Sequence, residues 1–287
     1  MSKVSNVSAD GVDVFYREAG PPDGPVILLL HGFPSSSHQY RNLIPLLAQR
    51  YRVLAPDFPG FGFTKVPAER NYAYTFANLT TTLAAFLDAL SVTSFAVYIF
   101  DYGAPVAFRL ALERPSAITA IVAQNGNAYD EGLGADFWGP FQKYWASGAS
   151  EDREALRGAT LTYEATKWQY EFGASDPGAI APESYTLDYA LLAPPDRQEI
   201  QLDLFKSYGT NVELYPQFQE YLRKSQVPTL AVWGKNDLIF PPAGAEALKR
   251  DLKKVEIHLL DTSHFAVETH GKEIAKLILQ FLESNGI

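Results

Sequence analysis

The sequence predicts an α/β protein: a mainly parallel sheet flanked by helices, with a helical insertion late in the chain. Three observations predict it. Short unbroken apolar runs recur along the chain, segments of helical spacing separate them, and that rhythm stops between about residues 128 and 225 before resuming. A strand buried on both faces reads as a continuous apolar run, and helices between such strands make the βαβ units of a parallel sheet.

Taken in order, residues 12–17 (VDVFYR) alternate apolar and polar, as a half-exposed early strand does. Residues 26–30 (VILLL) form the first wholly apolar run and end at His31-Gly32. Residues 51–56, 95–100, 118–123, 229–233 and 255–260 repeat the pattern. The clearest helix sets Phe76, Leu79, Leu83, Phe86, Leu87 and Leu90 on one stripe. The expected organisation is a core of residues 1–127 and 226–287 with a helical lid over 128–225. That lid holds three of the four tryptophans, Trp138, Trp145 and Trp168. Aromatic rings in such a layer serve either as its own core or as walls of an apolar pocket.

At 287 residues, 47% apolar and 20% charged, the chain has the make-up of a folded domain rather than a disordered one. Lys and Arg number 24 against 33 Asp and Glu, with no basic cluster longer than a pair such as Lys253-Lys254, so nucleic acid is excluded as a partner. The longest apolar run, residues 95–100, falls far short of the ~20 residues that a membrane-spanning helix needs. The first residues show no leader-like apolar stretch and the chain has no cysteine, which points to a cytoplasmic location and excludes disulfide and thiolate chemistry. With no H-E-x-x-H and no G-x-G-x-x-G after a strand, the expectation is chemistry without metal or cofactor.

The most informative stretch is residues 95–111, FAVYIFDYGAPVAFRLA. An apolar strand runs directly into Asp101, and Pro105 sits where the first turn of a helix tolerates a residue without an N–H. A strand–turn–helix elbow of this kind lifts its central side chain out of the sheet and turns backbone N–H groups and a helix dipole toward it. Gly103 is small enough for the turn; Asp101 taken alone also fits a helix N-cap. Asp237 follows the run at 229–233 and His264 the run at 255–260, where a turn aspartate and a surface histidine are the bland alternatives. Ligands of open α/β sheets bind outside the carboxyl ends of the strands, so all three side chains have a common place to meet. His31-Gly-Phe33-Pro34 is either a tight loop or the source of an oxyanion hole that pairs the Phe33 and Tyr102 N–H groups.

HGFPSSSHQYRNLIPLLA, RVLAPDFPGFGFTK, the FDYGAP elbow, VPTLAVWGKNDLIFPP and DTSHF together resemble the α/β-hydrolase superfamily, and within it the branch of epoxide hydrolases and haloalkane dehalogenases, over nearly the whole chain. The resemblance implies Asp101 as nucleophile, His264 as base, Asp237 as its orienting acid, Phe33 and Tyr102 as oxyanion donors, and a cis peptide before Pro34. A carboxylate is ionised at neutral pH and displaces a leaving group from saturated carbon without help from a base. The resulting alkyl ester is then cleaved by water that the histidine activates. No G-x-S-x-G occurs, which disfavours a serine esterase.

The signals for the substrate conflict. Haloalkane dehalogenases hold the departing halide with a Trp after the nucleophile, where this chain has Tyr102, and many carry Asn where it has Phe33. Fluoroacetate dehalogenases carry Arg one and four residues after the nucleophile, here Tyr102 and Pro105. Epoxide hydrolases protonate the opening ring with lid tyrosines, and the lid offers Tyr144, Tyr163, Tyr170, Tyr208 and Tyr215. Tyr215 leads, placed with residues 211–216 in the last lid helix; Tyr144, Trp145 and Trp168 are further candidates to line the pocket. The expectation is an enzyme that hydrolyses a small apolar epoxide to a diol. Organohalide dehalogenation is the alternative, and a non-catalytic carrier of a small apolar ligand is the reading of another class. Ile99, two residues before Asp101, stands where this family usually has Gly, so either the elbow relaxes or its neighbours are unusually small.

Overall fold

The computed structural model describes residues 2–287. One sheet contains β1 (Lys3–Ala9), β2 (Val12–Ala19), β3 (Val26–Leu30), β4 (Arg52–Pro56), β5 (Phe95–Phe100), β6 (Ile118–Gln124), β7 (Thr229–Gly234) and β8 (Val255–Leu260), in the spatial order β1-β2-β4-β3-β5-β6-β7-β8. The pairs β1–β2 and β2–β4 are antiparallel; all the others are parallel. Each run read from the sequence is a strand, β3, β5 and β8 with the same bounds; β8, at the edge of the sheet, is half-exposed rather than apolar throughout, with Glu256 and His258 within it. The reading passes over β1, whose mostly polar, exposed residues are held by the ladder to β2 rather than by burial.

Helices α1 (Ile44–Leu47), α2 (Phe76–Ala89) and α3 (Gly103–Glu113) lie between strands of the sheet. Between β6 and β7 run α4 (Ala135–Ser147), α5 (Ser150–Thr160), α6 (Tyr163–Glu171), α7 (Pro182–Leu192), α8 (Pro195–Val212) and α9 (Tyr215–Ser225); α10 (Ala243–Ala247) and α11 (Ala266–Ser284) follow β7 and β8. Alternate residues of each central strand feed two cores. Leu28, Leu30, Val97 and Ile99 pack with α2 and α3, while Ile27, Leu29, Ala96, Tyr98 and Phe100 pack with α1 and α11. The α2 stripe is buried as its spacing requires, and the Thr75 hydroxyl caps the helix by accepting the Asn78 N–H.

Two local expectations need correction or completion. Residues 211–216 do not share one helix: α8 stops at Val212 and α9 starts at Tyr215 with Pro216 in its first turn, because a proline has no N–H with which to continue α8. The elbow is not relaxed around Ile99, since Asp101 has a φ of +47° and a β-carbon on Gly103 would lie 2.4 Å from the Leu30 carbonyl oxygen. Small neighbours make the room instead. Gly126 lies against Ile99, where a β-carbon would sit 3.2 Å from the Ile99 side chain and 3.1 Å from that of Ala104. Among the described residues no helix is long and apolar enough to cross a membrane.

Candidate active site

Four parallel strands end at one edge of the sheet, and the loops that follow them carry the site. β5 delivers Asp101, β3 delivers Phe33, β7 leads to Asp237 and β8 to His264. Asp101 holds a left-handed backbone that side-chain-bearing residues rarely adopt. The Ala104 N–H donates to its carbonyl at 3.0 Å, and its own N–H reaches the Asn125 carbonyl at 3.4 Å.

Asp101 is 4% exposed, and its two carboxylate oxygens have different surroundings. Oδ1 accepts the Phe33 N–H at 2.6 Å, while Oδ2 faces His264 Nε2 at 4.0 Å. That approach requires glycine at position 32, where a β-carbon would lie 2.2 Å from Oδ1. The peptide between Phe33 and Pro34 is cis. Burial pushes the Asp101 carboxyl up to about 6, against the opposing pull of His264 and of the Phe33 and Tyr102 N–H groups.

His264 Nδ1 lies 2.8 Å from Asp237 Oδ2, so with a carboxylate as acceptor Nδ1 carries the proton and donates it. Nε2, buried and without a hydrogen-bond partner, is left toward Asp101. Burial alone would lower the histidine's proton affinity; the charge and hydrogen bond of Asp237, helped by Asp101, outweigh it and raise the imidazole above its ordinary value.

Asp237 is held by a corner that sequence reasoning does not find. At the end of β6, Asn125 donates through Nδ2 to the same Asp237 Oδ2 at 2.8 Å and accepts the Gly234 N–H at 2.9 Å. Gln124 donates both to Asn125 Oδ1 at 2.9 Å and to the His264 carbonyl at 2.7 Å; the Tyr98 hydroxyl in turn donates to Gln124 at 3.0 Å. The Ile239 N–H satisfies the other Asp237 oxygen at 2.7 Å. The available signal was two amides closing an apolar strand, where buried polar groups must find partners.

The structure distributes the predicted pocket residues unevenly. The Tyr102 ring packs 4.8 Å from Phe76 and 5.8 Å from Tyr208. Trp145 stacks on Tyr208 and donates its indole N–H to the Phe205 carbonyl. The Tyr144 hydroxyl accepts from Arg153, and the Tyr215 hydroxyl accepts from Asn127 Nδ2 at 3.3 Å. Trp168 stands apart from the site, stacked between Phe137 and Phe172. Among the tyrosines of the inserted helices, Tyr208 rather than Tyr215 has its phenol raised in part by Asp101, after burial and the neighbouring Tyr215. Its buried hydroxyl has no hydrogen bond of good geometry. Sequence could not separate it from the other tyrosines of the insertion, because its place depends on how α8 packs against Trp138, 4.6 Å away, and Phe76. The indole N–H groups of Trp138 and Trp233 are committed to the Ile239 and Phe240 carbonyls. Among the described residues no three His, Asp or Glu side chains converge as a metal site.

Known proteins share this architecture. Residues 25–271 match the alpha/beta hydrolase fold family. The uncharacterized hydrolase YNR064C of Saccharomyces cerevisiae is 49% identical over 278 residues, 96% of this chain and 95% of that protein. A haloalkane dehalogenase of Psychrobacter cryohalolentis is 27% identical over 284 residues, 95% of this chain and 88% of that protein. The crystal structure of the haloalkane dehalogenase DbeA from Bradyrhizobium elkani, 22% identical, superposes with a TM-score of 0.80 over 100% of this chain and 99% of that one, a likeness of fold. By its family match and its yeast relative, the chain belongs to the alpha/beta hydrolase family and is a hydrolase of that fold.

Proposed function

We propose that this hydrolase works through a covalent ester on Asp101 and opens a small apolar epoxide to a diol. One observation carries the reading: the Asp101 carboxylate has one oxygen on the Phe33 N–H and the other directed at His264 Nε2. Oδ1 is thereby tethered and Oδ2 is the attacking atom. Its bond to an epoxide carbon breaks the ring C–O bond, and the ring oxygen takes a proton as it leaves. Tyr208 is the donor, since its hydroxyl is buried and protonated, with the Tyr215 hydroxyl as its only polar neighbour among the groups that shift it besides Asp101 and Tyr102.

The second step uses the tethered oxygen. Alkylation removes the Asp101 charge, the smallest of the influences that raise His264, and so favours the neutral imidazole that takes a proton from water. Hydroxide attacks the ester carbonyl carbon, and negative charge develops on Oδ1, already at the Phe33 N–H. Cleavage of the acyl C–O bond, with the proton held by His264 passed to the leaving alkoxide, frees the diol and leaves Asp101 as the acid; its proton replaces the one Tyr208 gave up, which restores both groups. Asp237 keeps the tautomer fixed and stabilises the imidazolium. The six inserted helices serve in this scheme as a lid: Phe205 and Tyr208 of α8 and Trp138 and Phe141 of α4 exclude bulk water from the ester.

The similarity to haloalkane dehalogenases supports a second reading, because the same attack displaces a halide. A departing halide wants N–H donors, whereas Trp138, Trp145 and Trp233 spend theirs on backbone carbonyls. A buried, protonated phenol beside Asp101 favours the epoxide. The carrier reading finds no use for a carboxylate whose burial is costly at neutral pH.

Three outcomes test the scheme. Intact mass of the His264→Gln variant, incubated with a single-ring epoxide, is expected to rise by one whole substrate, with the adduct on Asp101. Persistent turnover after Asp101→Asn would sink the ester. Tyr208→Phe is expected to lower kcat/KM for epoxides about 100-fold while leaving adduct formation from organohalides unchanged; no loss with epoxides would remove Tyr208 from the reaction. The third concerns stability. A carboxyl raised to about 6 in the folded state contributes most below its unfolded pKa, and that contribution is lost as pH rises through 6. Asp101→Asn, though inactive, is therefore expected to be more stable than the parent by about 2–3 kcal/mol above pH 6. In urea unfolding across pH the difference should shrink toward zero below about pH 4; a gain that grows with acidity would contradict the buried-charge argument.

A further inference from the structure

A file of six aromatic rings leads from the surface of the inserted helices to the Asp101 elbow. Phe172, 43% exposed, stacks on Trp168 with ring centres 5.0 Å apart; Trp168 faces Phe137 at 6.4 Å, and Phe137 stacks on Phe141 at 5.3 Å. Phe141 then meets Phe205 edge-on at 5.1 Å, and Phe205 meets Phe33 in the same way at 5.1 Å. Phe33 is the residue whose N–H holds Asp101. Exposure falls along the file, through half-buried Trp168 and Phe137 to 4% at Phe141 and 2% at Phe205. Midway, α4, α5 and α6 enclose a mostly apolar cleft of about 280 Å³. Phe141 belongs to both places, as a wall of the cleft and as the ring packed against Phe205 over the site.

We propose that this cleft is an outer binding site for the hydrolase's own small apolar substrate, and that Phe141 and Phe205 form the constriction it passes on the way to Asp101. The proposal rests on the reading that Asp101 attacks such a substrate. Asp101 lies under packed rings, so a reactant must travel through the protein to meet it, and an apolar reactant is drawn to an apolar route. A cleft just below the ~300 Å³ of the smallest drug-sized pockets takes one ring or a short chain. Asp136, the charged residue on its wall, repels anions. Side-chain rotation of Phe141 opens the passage without moving a helix. Trp168, remote from the catalytic groups, acquires a task as the outer wall.

The test fills the cleft and reads binding and chemistry separately. Ala165→Trp projects into it from α6; Ala159→Trp, at an exposed position of α5 on the same cleft, is the second variant should the first fail to fold. Binding is read by ¹⁹F NMR of trifluorotoluene, a single-ring apolar probe with no epoxide. Chemistry is read as the rate of adduct formation from a single-ring epoxide in the His264→Gln background. Filling the cleft is expected to weaken probe binding at least tenfold and to slow adduct formation at least tenfold, with thermal unfolding unchanged. Phe141→Ala is expected to speed adduct formation from a two-ring epoxide several-fold. Unchanged probe binding in the filled variants would overturn the proposal, as would lost binding with an unchanged adduct rate. If the His264→Gln parent forms no adduct, the failure falls on the catalytic reading, and the binding arm still decides whether the cleft takes an apolar ligand.

Discussion

The hydrogen bond from the Phe33 N–H to Asp101 Oδ1 is the contact on which the rest of the site depends. At 2.6 Å it joins the loop after β3 to the elbow after β5, and it makes two equivalent carboxylate oxygens unequal. Several small residues exist around it for steric reasons. Gly32 lets the loop approach the carboxylate, Gly103 lets α3 start against Leu30, and Gly126 leaves room for Ile99 beneath the turn. A β-carbon at the first two would meet atoms at 2.2 Å and 2.4 Å, so the tight elbow and the close loop are one packing solution.

Electrostatics at the site follow from burial. Removing Asp101 from water raises its carboxyl, and removing His264 from water would lower its imidazole, yet Asp237 reverses the second effect. The reversal needs Asp237 fixed in place. Asn125, Gln124 and Tyr98 achieve that with a chain of buried hydrogen bonds running from β5 through the end of β6 to the His264 backbone. A buried polar chain of this kind is effective only when every member is satisfied.

Much of this was legible in the sequence because it is written in local patterns. Strands β3 to β7 are short, mostly apolar runs, β8 (VEIHLL) interleaves Glu256 and His258 with apolar residues, and α2 declares itself by its stripe. Asp101, Asp237 and His264 each follow such a run, so the sheet edge that gathers them could be named in advance. What escaped was non-local. β1 is an edge strand of polar residues, Asn125 and Gln124 carry amides with no chemistry of their own, and Tyr208 differs from Tyr144 or Tyr215 only through the packing of α8. Trp168 was assigned to the pocket by its residue type, yet its ring belongs to the outer face of the inserted helices.

In the proposed scheme the inserted helices tie access to chemistry, because the rings packed over Asp101 would also exclude the water that the ester needs. Whether the oxygen gained by the product comes first from the protein is therefore the central claim in its most direct form. A single turnover with enzyme in excess, run in ¹⁸O-water, measures it. The expected diol is unlabelled, with one ¹⁸O left in the Asp101 carboxylate; ¹⁸O in the diol of that first turnover, with Asp101 unlabelled, would mean that water attacks the substrate directly and no ester forms.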